Sequence, residues 1–89
     1  MDYCVITFSS TNGAIQAQKD LKGQLPFQIM PVLREISRGC GISVRFAPEH
    51  LEQARSILAG SGLDAGEYAF YGVSGHGPAL QAQPLDQAG

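Results

Sequence analysis

The sequence has no tryptophan, two cysteines, and charged side chains at only 16% of its 89 positions. Each shortage excludes something. Two cysteines without a CxxC pair make neither a disulfide framework nor a zinc site. Six basic against eight acidic side chains, net −2, leave no basic patch to neutralise phosphates, so nucleic-acid binding is not expected. No apolar run approaches the ~20 residues a bilayer requires, and no basic segment leads into an apolar one at the start, so neither membrane contact nor a secretory signal is expected. A reducing cytoplasm is the expected compartment, where free thiols persist. His50 and His76 have no metal-ligand partner at a recognisable spacing. The glycines around His76 are not followed by Lys-Ser or Lys-Thr, which rules out a phosphate loop. The residues call for no cofactor and no metal.

Hydrophobic residues are 44% of the chain, enough for one small core. Residues 1–73 carry a pattern and residues 74–89 do not. Cys4, Ile6 and Phe8 alternate with Tyr3, Val5 and Thr7, which predicts a strand apolar on both faces and therefore central. Ser9, Ser10, Thr11 and Asn12 offer N-caps for a helix over 11–22, which buries Ala14, Ala17 and Leu21 and stops at Gly23. Pro26 to Val32 reads as an edge strand bracketed by prolines. A third strand runs from Cys40 or Gly41 to Phe46. Pro48 opens a second helix with Leu51, Ala54 and Leu58 on its apolar stripe, ended by Gly60 and Gly62. Glu67 to Val73 is the fourth strand. Ser74 to Gly89, rich in Gly, Pro, Ala and Gln, reads as a flexible C-terminal tail.

The order βαββαβ predicts an α+β, ferredoxin-like sandwich. Four antiparallel strands in the order 4-1-3-2 would carry both helices on one face. In that topology the start of the third strand lies beside the end of the first. Cys40 is then expected near Phe8 to Thr11, at the positive pole of the first helix.

The segment PVLREISRGCG, residues 31–41, holds the candidate site. Gly39 and Gly41 leave the Cys40 sulfur sterically open. Arg34 and Arg38 favour its thiolate, the reactive form. The two arginines can also hold an anionic group, and the alternative is solvated loop charge with Glu35 pairing to one of them. Cys4, inside an apolar alternation, reads as a packing residue. Ser10, Thr11 and Asn12 are capping residues that would also donate hydrogen bonds to a group on Cys40. His50 is expected to be exposed.

YCVITFSSTNGAIQAQKDLK together with PVLREISRGCGISVRF resembles the selenium/sulfur (Se/S) carrier protein-like family, formerly a domain of unknown function. The resemblance covers residues 3 to 73. It implies a carrier in which Cys40 holds sulfur or selenium as a persulfide or selenopersulfide, with Arg34, Ser37 and Gly41 matching the motif around it. It implies a protein substrate rather than an enzyme. The implied partners are a donor of the cysteine desulfurase type and an acceptor protein. The alternative is a non-catalytic ferredoxin-like interaction or ligand-sensing module using Tyr3, Val5 and Tyr71 on an open sheet face. Homodimerisation through that face is compatible with both readings.

Overall fold

A computed structural model describes residues 1–36 and 41–85. Strand β1 (Tyr3–Phe8) leads into helix α1 (Thr11–Leu21), edge strand β2 (Gln28–Pro31) and strand β3 (Ile42–Phe46). A 3-10 turn (Pro48–His50) with proline at its first position opens helix α2 (Leu51–Ala59). Strand β4 (Tyr68–Ser74) and strand β5 (Gln81–Pro84) complete the chain. The antiparallel sheet has the order β2-β3-β1-β4-β5. Its first four strands follow the expected order, read from the other edge.

The expectation of four strands is corrected. Residues 81–84, expected in the tail, form β5, which pairs with β4 through Tyr71↔Pro84 and Val73↔Ala82. The Leu85 N–H donates to the Phe70 carbonyl at 2.8 Å and prolongs that edge. Residues 86–89 of the expected tail lie outside the described residues.

The side-chain alternation of β1 divides the molecule into two cores. Cys4, Ile6 and Phe8 face the helices and pack with Ala14, Ala17, Leu21, Ala54 and Leu58. Phe46 and Phe70 meet edge to face there, with ring centroids 6.2 Å apart. The other β1 face buries Val5 against Ile36, Tyr71 and Val73, with Tyr3, Leu33, Leu80 and Ala82 around them. The expected open sheet face is therefore corrected as well. Val5 is fully buried and Tyr71 only 7% exposed. Their cover comes from the turn around residues 33–36 and from the chain leading into β5.

Ser43 shows how the edge is held. It is fully buried, and its Oγ donates to the carbonyls of Met30 (3.1 Å) and Pro31 (3.3 Å). A buried hydroxyl with acceptors ties β2 to the sheet where Pro31 has no N–H to offer.

Candidate functional site

Three elements converge on one end of the sheet. The β1–β3 register reaches Thr7↔Ser43, so β1 leaves the sheet where β3 enters it. Ser9 and Ser10 follow β1 there, and Gly41 precedes β3. Ser10 caps α1 from extended backbone geometry, its Oγ accepting the Gly13 N–H at 3.1 Å. Thr11 and Asn12, both exposed, occupy the first turn, which contains no acidic residue. The positive end of the helix is thus not neutralised by its own sequence.

The loop after β2 is fastened at its base and on its path. The Val32 N–H donates to the Gly41 carbonyl at 3.1 Å. The Ile36 N–H donates to the Leu33 carbonyl at 3.0 Å, closing a turn. Ile36 is 8% exposed and packs in the Val5–Tyr71–Val73 cluster, while Arg34 and Glu35 between them are exposed. Arg34 makes no ion pair among the described residues, so Glu35 does not pair with it; a pairing of Glu35 with Arg38 lies outside the described residues. Gly41 has φ +91° with open space where a Cβ would stand. That left-handed conformation is the physical reason for glycine at this position. Ser37, Arg38, Gly39 and Cys40 lie outside the described residues.

Cys4 occupies the opposite environment. It is fully buried on the helix side of β1, its thiol 3.6 Å from the Met1 sulfur. Burial pushes its pKa up, and the charges of Arg55 and the N-terminal amine only partly oppose this. A neutral, enclosed thiol is a poor nucleophile.

A shallow cleft of about 240 Å³ lies beside the same end, lined by Thr7, Phe8, Ser9, Gly66, Glu67, Tyr68 and Ala69. Sequence reasoning did not find it. Its outer wall is fixed by a reciprocal cap. The Asp64 N–H donates to Glu67 Oε2 at 2.8 Å, and the Glu67 N–H to the Asp64 carbonyl at 2.9 Å. The Ser9 N–H donates to the Glu67 carbonyl at 2.9 Å, bringing that wall against the β1 exit. The Asp-x-x-Glu spacing at 64–67 was the available signal.

The histidines stay apart from this end. His50 is half-buried rather than exposed, its side chain 27% accessible and 3.9 Å from Glu49. His76 is exposed. Among the described residues, no three potential metal ligands cluster. Nor, among the described residues, is any helix long and apolar enough to cross a membrane.

The family model described as "Putative Se/S carrier protein-like" matches residues 3–68. That span takes in β1, α1, the loop with Arg34 and Cys40, β3 and α2, and stops as β4 begins, short of the Val73 limit read from the sequence. No curated protein and no solved structure matches the chain. With about three quarters of its length inside the match, the chain belongs to the Se/S carrier protein-like family.

Proposed function

We propose that this chain carries sulfur or selenium on Cys40 between two partner proteins. The observation behind the reading is the unsuitability of the other cysteine, Cys4. Cys4 is sealed in the core with a raised pKa. Cys40 is joined to Gly41, whose surroundings are open and whose end of the sheet is also that of the α1 N-terminus. Family membership supplies the chemical class.

In the proposed step the Cys40 thiolate attacks the terminal sulfur of a donor persulfide. The donor S–S bond breaks as a new S–S bond forms on Cys40, and the donor leaves as a thiolate. The electrons balance without an oxidant or a metal. Selenium follows the same course through a donor selenopersulfide. Arg34, exposed and without an ion pair among the described residues, supports the anionic cargo, as would Arg38. Gly39 and Gly41 keep the approach clear, and Ser37, Thr11 and Asn12 supply donors. Ser10 serves chiefly as the helix cap. The chain acts as a protein substrate for a donor of the cysteine desulfurase type and for an acceptor, in a reducing compartment.

Of the residues assigned to the interaction-module alternative, Val5 and Tyr71 are covered and Tyr3 stays half-buried at the rim. The same cover lies over the face assigned to a homodimer.

Alkylation kinetics against pH, in the Cys4→Ala variant, test the thiol. The expected profile has its midpoint below the ~8.5 of a free cysteine. A midpoint at or above that value would remove the chemical basis of the proposal.

A further inference from the structure

The opposite end of the sheet carries a second cleft, larger than the first. It measures about 400 Å³ and lies between the start of β1, the approach to β2 and the end of β3. The five residues of β3 span roughly 13 Å at ~3.3 Å per residue, which sets the distance between the two ends. A volume of this size falls within the ~300–1,000 Å³ of small-molecule sites.

Its polar centre is Arg45. The guanidinium carbon lies 4.0 Å from the centroid of the Tyr3 ring. The ladder explains the contact. Arg45 pairs with Val5, and Tyr3 is the next residue on the same face of β1, within diagonal reach. The flat cation is therefore held on the ring by its quadrupole. The Arg45 side chain makes no ion pair or hydrogen bond among the described residues, and it is exposed. Gln28 stands across from it on β2. Asp2 is the acidic residue of the lining, but its Oδ2 accepts the Gly75 N–H at 2.9 Å. Pro26, Phe27 and Phe46 supply apolar walls.

We propose that this cleft binds a small organic carboxylate with a planar apolar body. A guanidinium already held flat presents paired N–H donors that match a carboxylate. The neighbouring Gln28 amide can add a donor, and the aromatic walls take the apolar part. One cation in an acidic chain is a poor match for a phosphate, which calls for several donors and charges. The inference stands independently of the sulfur-carrier reading, since the cleft does not involve Cys40.

The test is a two-dimensional amide NMR titration of the full chain with benzoate, benzamide and inorganic phosphate. Benzoate is expected to give saturable shifts at Tyr3, Gln28 and Ala47. Benzamide, its uncharged counterpart, should bind about tenfold more weakly, and phosphate should not saturate. Arg45→Gln should abolish the benzoate response. Arg45→Lys should leave a weaker one, because the charge persists while the paired fork is lost. Arg45 is exposed, so both variants should keep the wild-type spectrum away from the cleft. Equal binding of benzoate and benzamide would overturn the proposal. So would saturation by phosphate, shifts centred elsewhere, or an unchanged response in Arg45→Gln.

Discussion

The backbone N–H of Val32 reaches the carbonyl of Gly41 across 3.1 Å and closes the loop that contains Arg34 and Cys40. The closure depends on Gly41 holding φ +91°. Nothing stands within 4 Å of a Cβ at that position, so a substitution meets no neighbour and costs only backbone strain. Gly41→Ala should therefore destabilise the fold by about 1–2 kcal/mol, the left-handed penalty for an L-residue. Urea denaturation measures it, and sulfur loading of the same variant should fall. A neutral substitution would show that the loop base does not need this conformation.

Ile36 anchors the loop on the sheet. It packs with Val5, Tyr71 and Val73 on the face away from the helices. Ile36→Ala removes buried methyl and methylene groups and should cost about 2 kcal/mol, the low end for such truncations because the site lies near the surface. Faster amide exchange at Val5 and Tyr71 should accompany the loss. Unchanged stability would mean that the cover is incidental.

Strand β5 protects an edge. Deleting residues 81–89 would remove the partner of β4 and uncover Val73 beside Ala82. The shortened chain should unfold at lower denaturant and associate in a concentration-dependent way, because an exposed edge strand invites pairing. Sedimentation and denaturation together check this. An equally stable monomer would show that β5 adds nothing to the fold.

Most of the fold was legible because its periodicities are strong. Both faces of Tyr3–Phe8 are apolar, which is the mark of the central strand that β1 proves to be. The α1 positions Ala14, Ala17 and Leu21 are buried as their spacing requires. Strand β5 was not legible. Gln81, Ala82, Gln83 and Pro84 have little intrinsic strand preference, and their conformation comes from pairing with β4. The covered sheet face was missed for a related reason. Leu33 and Ile36, three residues apart, both turn inward, yet so short a segment gives no period to detect. Of the site, the meeting of the β1 exit and the β3 entrance followed from topology. The cleft at Glu67 required the wall supplied by residues 64–67, which only tertiary placement brings to Ser9.

The buried thiol leaves a pH signature. The folded-state pKa of Cys4 is raised by burial, so the folded chain keeps that proton after the unfolded chain has lost it. Above the ~8.5 of an ordinary thiol the unfolded state binds fewer protons, and stability falls as pH rises toward the folded value. Cys4→Ala should flatten this alkaline loss, at the cost of a small cavity beside Met1. Denaturation midpoints between neutral and alkaline pH read it directly. Parallel slopes for both proteins would show that Cys4 titrates normally.

The central claim is a division of labour between two sulfurs, one structural and one chemical. Incubation with a cysteine desulfurase and cysteine, followed by intact-mass analysis of the wild type, Cys4→Ala and Cys40→Ser, separates them. The account predicts a one-sulfur adduct on the wild type and on Cys4→Ala, and none on Cys40→Ser. An adduct that persists in Cys40→Ser, or none on the wild type, would contradict it.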